Sequence, residues 1–223
     1  ATKGLAAISA AVLVDRGLLD YGEKVGTYWP EYACNGKEDT TVSQVLSHQA
    51  GVPGFILPIT LEEFCDWQTV ISRLEVQAPM WVPGTKNSYH AMTFGFLAGE
   101  LIRRASGKGI GAFLSEAVAG PLNAEAYIGL PESKEPQVAE MVPSPLELEL
   151  DMSAAPPEAL VSITNPIMEP TLPNTRMWRA AEIPAGNGQA TAKGLARIYG
   201  AVANHGLLDG HQLMSQQTIE QMT

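Results

Sequence analysis

The first sixteen residues place the tightest limit on how this chain folds. Residues 1–16 are rich in alanine and carry Leu5, Ile8 and Val12 at helical spacing, which predicts a buried helix. Gly17 stops it, and Leu18-Leu19-Asp20 turns into a loop. Further along, Thr41-Val42-Ser43-Gln44 and Thr60-Leu61-Glu62-Glu63 are capping boxes. In each, the threonine and the residue three later satisfy one another's free backbone N–H groups. The first box predicts a short helix through Ser47-His48. The second opens an apolar stripe, Leu61, Phe64, Trp67, Ile71 and Leu74, that predicts one helix ended by Pro79 and Pro83. Residues 91–105 align Phe94, Leu97, Ala98, Leu101 and Ile102 on one face, with Glu100 and Arg104 as an outward i,i+4 pair and Gly107 as the cap.

The remaining segments are shorter or less regular. Residues 109–119 predict a helix before Gly120-Pro121, Thr191 caps another to about 204, and 215–223 has helical character. Residues 126–130 predict a short strand, 21–39 mostly loop. Residues 132–175, rich in proline and acidic side chains, predict a long surface excursion of the kind that often borders a binding site. The chain is therefore expected to be mostly helical, with six helices and two or three short strands. Its abrupt beginning and end within helical segments predict an excerpt from a longer protein.

Composition narrows the class of partner. With 223 residues, 45% hydrophobic and 17% charged, the chain suits one large domain or one domain with an embedded lobe. A net charge of −10 without a basic patch argues against nucleic acid. No apolar run approaches the ~20 residues that span a bilayer, so this chain holds no membrane segment. Cys34 and Cys65 lack metal-ligand spacing and fit free buried thiols best, a single disulfide being the alternative. The four histidines form no zinc pattern, and no metal or organic cofactor is implied.

The stretch 83–91, Pro-Gly-Thr-Lys-Asn-Ser-Tyr-His-Ala, follows Trp81 and sets Tyr89 at a loop-to-helix junction, where its side chain can project into a cleft. A core tyrosine after a Pro-Gly turn is the plainer alternative. Lys3 lies in the first turn of the opening helix, where the helix dipole disfavours an ammonium. That is a poor position for a structural lysine and a useful one for a base, although a frayed lysine in water remains the other reading. A nucleophile three residues earlier would lie one turn away on the same face. No Gly-x-Ser-x-Gly elbow accompanies His48 or His90. His48 reads as a hydrogen-bonded structural residue, while His90 either lines a cleft beside Tyr89 or is structural. Trp81 packs beneath the Tyr89 loop or touches substrate, and Asn187 between two glycines either rims the pocket or shapes a turn.

Ala1-Thr2-Lys3-Gly4-Leu5-Ala6-Ala7 resembles the end of the Ser-x-x-Lys motif of the serine beta-lactamase-like hydrolases. These include class C beta-lactamases, penicillin-binding DD-peptidases and family VIII carboxylesterases. The resemblance continues through residues 41–51, Trp81-Val-Pro-Gly84, Tyr89-His90-Ala91, Gly120-Pro121-Leu122, Gly186-Asn-Gly188 and Thr191-Ala192, and so covers nearly the whole chain. It implies an α/β sandwich bearing a mostly helical lobe, the active site between them, and one beta-lactamase-related domain over residues 1–223 whose flanking sheet segments lie outside them. The helices at both chain ends are accordingly expected to expose their apolar faces.

For chemistry the resemblance implies a serine nucleophile, an acyl-enzyme, and Lys3 and Tyr89 sharing acid–base work. Backbone N–H groups, that of the serine included, would form the oxyanion hole. The serine is expected immediately before Ala1, and a third motif beyond Thr223. The family's Tyr-x-Asn reads Tyr-His-Ala here, so Ala91 lacks the amide that would hold a beta-lactam side chain. That tilts the expected substrate from a lactam toward a small carboxylic ester. A beta-lactamase or D-Ala-D-Ala peptidase is the alternative enzyme, and a non-catalytic ligand-binding or structural relative the alternative of another class.

Overall fold

The structure, a computed structural model, describes residues 1–144 and 154–223. Eleven α-helices are present among them: α1 (Thr2–Asp15), α2 (Val25–Tyr28), α3 (Val42–Leu46), α4 (Leu61–Cys65), α5 (Trp67–Val76), α6 (Thr93–Ser106), α7 (Ile110–Leu114), α8 (Pro157–Thr164), α9 (Arg176–Ala180), α10 (Ala192–Ala203) and α11 (Gln216–Met222). Four two-residue strands, three 3-10 turns and a π-helical turn, Ser115–Ala119, accompany them. β1 (Ala126–Tyr127) pairs antiparallel with β2 (Gln189–Ala190), and β3 (Leu207–Leu208) with β4 (His211–Gln212).

The opening helix is the centre of the core. Leu5, Ile8, Val12 and Leu13 of α1 are buried, and Ala6, Ala10 and Ala11 are small enough for neighbours to approach from several sides. α1 packs most extensively on α6 and also meets α7 and α11. The apolar face of α1 is thus covered by helices within residues 1–223, contrary to the expected exposure at that end. α11 lies against α1 through Asp15, whose Oδ1 accepts from Ser215 N–H and Thr218 Oγ–H, both at 2.8 Å.

Both capping boxes form. Thr41 accepts from Gln44 N–H at 3.2 Å while Gln44 Oε1 accepts from Thr41 N–H at 3.0 Å, and Thr60 and Glu63 repeat the exchange at the start of α4. The stripe that follows is two helices rather than one. Asp66 is extended and caps α5, its Oδ1 accepting from Thr69 N–H at 2.9 Å, so the chain turns between Cys65 and Trp67. Residues 21–39 are more regular than a loop, holding α2 and a 3-10 turn, Pro30–Tyr32, with Trp29, between the two, and Tyr32 both buried. The 132–175 excursion contains α8, and its part at 145–153 lies outside the described residues. Cys34 and Cys65 are free and half-buried.

Glu100 departs furthest from expectation. It faces the core, with Arg103, Arg104 and the Trp67 indole N–H all donating to its carboxylate. The i,i+4 partner was legible, but the pair is not outward.

Candidate active site

Three segments converge at the N-terminus of α1. The first is α1 itself, which carries Lys3. The second is the stretch before α6, reached through a Pro-Gly turn in which Gly84 has φ +86° and lies against the Gln44 side chain, where a Cβ would meet Nε2 at 2.4 Å. The third is the loop 183–188. Asn187, buried, gives its amide N–H groups to the carbonyls of Trp178 and Ala181, both at 2.6 Å, and accepts from Ile183 N–H at 3.1 Å. These bonds shape the loop that presents the Ala185 carbonyl, and Gly188 N–H ties it to the Thr2 hydroxyl at 3.2 Å.

Lys3 is not frayed into water. Its Nζ donates to the Ala91 carbonyl at 2.6 Å and to the Ala185 carbonyl at 3.1 Å, occupying two of the ammonium's three donors. The same Nζ lies 4.9 Å from the centroid of the Tyr89 ring. Tyr89 is 57% exposed, a high value for an aromatic ring set beside a buried scaffold, and it projects from the loop rather than into the core. The two residues that sequence singled out for acid–base work, 86 positions apart, therefore stand together.

Beneath them lies a pair of histidines. His90 is buried with both ring nitrogens engaged: Nε2 accepts from Val52 N–H at 3.2 Å, and Nδ1 meets the Ser88 carbonyl at 2.7 Å. Only a neutral ring protonated at Nδ1 satisfies both contacts. Burial drives its pKa down to about 4, with the Ser88 contact opposing and His48 adding to the fall. His48, at φ +63°, accepts the His90 backbone N–H on Nδ1 at 3.1 Å, and its ring lies 5.1 Å from that of Tyr89. Burial, then the positive charge of Lys3, lowers its pKa as well. Trp81 stands edge-on to His90 with centroids 5.9 Å apart and underlies the loop. Of the three residues that sequence offered as pocket-lining or structural, His90 and Asn187 are buried and Trp81 is half-buried. Sequence reasoning missed Ser162, whose hydroxyl reaches the backbone on both sides of His90 from α8. No local pattern marks it.

The arrangement holds a lysine and an exposed tyrosine in fixed mutual positions over a neutral floor, which suits proton transfer to or from a bound group. Among the described residues no cluster of three acidic, cysteine or histidine side chains could hold a metal ion, and no helix is long and apolar enough to cross a membrane.

A protein-family model described as Beta-lactamase matches residues 1–223. A Mycobacterium tuberculosis protein named esterase/beta-lactamase LipL is 35% identical over 244 aligned positions, covering 100% of this chain and 54% of the relative. Among solved structures, a family VIII carboxylesterase superposes with a TM-score of 0.91 at 42% identity, over 100% of this chain and 59% of that one. A penicillin-binding protein homologue from Caulobacter crescentus superposes with a TM-score of 0.84 at 37% identity, over 98% of this chain and 58% of that one. The chain spans little more than half the length of these relatives. The fold is the α/β architecture of beta-lactamases and transpeptidases, and the described residues are chiefly helical.

Proposed function

The chain belongs to the beta-lactamase family, and from that premise we propose that it carries the lysine and tyrosine of a serine hydrolase that cleaves small carboxylic esters through an acyl-serine intermediate. One observation supports this above the rest: Lys3 Nζ is held by two backbone carbonyls within 4.9 Å of the Tyr89 ring, on the helix where a Ser-x-x-Lys motif would end. The serine required would stand three positions before Lys3, preceding Ala1. Its hydroxyl is a weak nucleophile until a neighbouring base accepts its proton. In the proposed reaction the serine oxygen attacks the ester carbonyl as its proton passes to the Lys3–Tyr89 pair. The alcohol leaves with that proton, and water then releases the acid from the acyl-serine. The residues 1–223 form the proposed domain's contribution to this site.

Two features favour an ester. The relatives include proteins named as an esterase and a carboxylesterase. Ala91, where a Tyr-x-Asn motif would place an amide, offers only its backbone, and both of those groups are engaged by Ser162 and Lys3.

The test is turnover of a short-chain nitrophenyl ester by the intact protein. Lys3→Ala and Tyr89→Phe should each lower kcat by about 10²- to 10⁴-fold. Full activity in either variant sinks the assignment of that residue. Faster hydrolysis of nitrocefin or of a D-Ala-D-Ala peptide than of any small ester would move the substrate class to lactams or peptides.

A further inference from the structure

Tyr89 belongs to an irregular stretch, residues 86–90, that joins none of the described strands, so something else must hold its peptide groups. Side chains do so. The His90 N–H goes to His48 Nδ1, and the Ala91 carbonyl takes Lys3 Nζ. Two further groups, one on each side of His90, share a single atom, Ser162 Oγ. It donates to the Tyr89 carbonyl at 2.7 Å and accepts from the Ala91 N–H at 2.9 Å.

Ser162 sits within α8, where a serine ordinarily returns its hydroxyl to the carbonyl four residues back. Ser9 and Ser106 do this at 2.8 and 2.7 Å, and so does Thr164 of α8 itself, to Leu160 at 2.8 Å. Ser162 is buried and points across to the segment that carries Tyr89 instead. The helix is anchored around it. Glu158 pairs with Lys86, upstream of Tyr89. Asn165, just past α8, gives its amide to the carbonyls of Phe55 and Leu57 at 2.7 and 2.9 Å and accepts from Ile59 N–H at 3.1 Å. α8 is thus bolted to the two loops flanking the site, with Ser162 as its one contact to the peptide groups on either side of His90.

We infer that Ser162 is a positioning residue of this site: its hydroxyl clamps the Tyr89 and Ala91 peptides and so fixes the tyrosine. The inference rests on the reading of Lys3 and Tyr89 as the acid–base pair. A hydroxyl suits the place because it donates and accepts at once, which neither alanine nor a carbonyl side group can do from one atom.

The experiment is a double-mutant cycle on the intact protein with a short-chain nitrophenyl ester, using Ser162→Ala, Tyr89→Phe and the pair. Ser162→Ala should lower kcat by about 10- to 100-fold with KM within about twofold, as a small misplacement of a reacting group does. In the Tyr89→Phe background the same change should cost markedly less, because the group it places is gone. An unchanged kcat in Ser162→Ala, with Tyr89→Phe inactive, overturns the role of Ser162 alone. An undiminished loss in both backgrounds overturns it too, since Ser162 would then act on something other than the tyrosine. Full activity in Tyr89→Phe overturns the underlying reading and this inference with it. Should Ser162→Ala fail to fold, Ser162→Cys keeps the shape while weakening both bonds, and an intermediate loss of kcat is expected under the same criteria.

Discussion

A carboxylate removed from water needs a donor at each oxygen, and Glu100 shows how this chain supplies them. Its Oε1 takes the Arg103 and Arg104 guanidiniums at 2.6 and 2.7 Å, and its Oε2 takes Arg103 Nε at 2.7 Å and the Trp67 indole at 3.1 Å. Burial pushes the carboxyl pKa up, but the bonds from Arg103, Arg104 and Trp67 outweigh it, and the group stays below the ordinary carboxylate range. Arg104 carries the network on to Glu31 at 2.7 Å. Removing the shared acceptor strands two guanidiniums and an indole at once. Glu100→Ala should therefore cost about 3–5 kcal/mol. Arg103→Ala should cost only about 1 kcal/mol, because that side chain is 43% exposed and water can replace part of its bonding. Chemical denaturation of the two variants checks this, and similar losses would show that Glu100 does not act as the hub.

At the scale of elements, α8 depends on a glycine. A Cβ on Gly54 would meet the Val161 carbonyl oxygen at 2.1 Å and its carbon at 2.6 Å, contacts with backbone that cannot swing aside. Gly54→Ala should lift α8 off the 53–59 loop and cost about 1–3 kcal/mol. Faster hydrogen exchange across α8 should accompany the loss and, under the proposed function, so should a fall in kcat on the nitrophenyl ester, since Ser162 moves with the helix. Gly200→Ala in α10, where nothing lies within 4 Å of the new methyl, is the control and should stabilise by about 0.5–1 kcal/mol. An α8 unaffected by Gly54→Ala would mean the helix is held by its polar anchors alone. What the sequence disclosed at this scale follows from how local each signal is. The capping boxes at Thr41 and Thr60 were readable because both halves of each exchange lie within four residues. The break at Asp66 was hidden because the apolar stripe runs straight through it. α8 went unread because the proline and acidic surroundings mask it, and only Ser162 among its residues is buried. Lys3 and Tyr89 were each visible from their place at an element boundary. The partner that binds the peptides around Tyr89 lies 73 positions away, and no local pattern encodes that distance.

For the whole molecule, the histidine floor couples the site to stability. His90 links three segments: it receives Val52 N–H, contacts the Ser88 carbonyl, and lies edge-on to Trp81. The other ionisable groups facing it are His48 and, through His48, Lys3. Burial keeps the native ring neutral well below the ordinary 6.5, to about 4, and a proton added at Nε2 would also face the Val52 N–H. The unfolded chain, by contrast, binds that proton near 6.5. Between those values the unfolded state holds more protons than the native one, and stability therefore falls as pH falls. The contribution is fully present above pH 6.5 and is lost progressively toward pH 4. Its size is about 3 kcal/mol for this one ring, with His48 adding in the same direction. His90→Asn keeps an acceptor for Val52 while removing the titrating group. In denaturant unfolding of the intact protein at pH 7 and pH 4.5, the variant should be less stable than the native protein at the higher pH. It should also lose less on acidification, so that the two curves converge at the lower pH. Curves that stay parallel would show that acid lability comes from the carboxylates instead, and that the ring beneath Tyr89 takes up its proton without disturbing the fold.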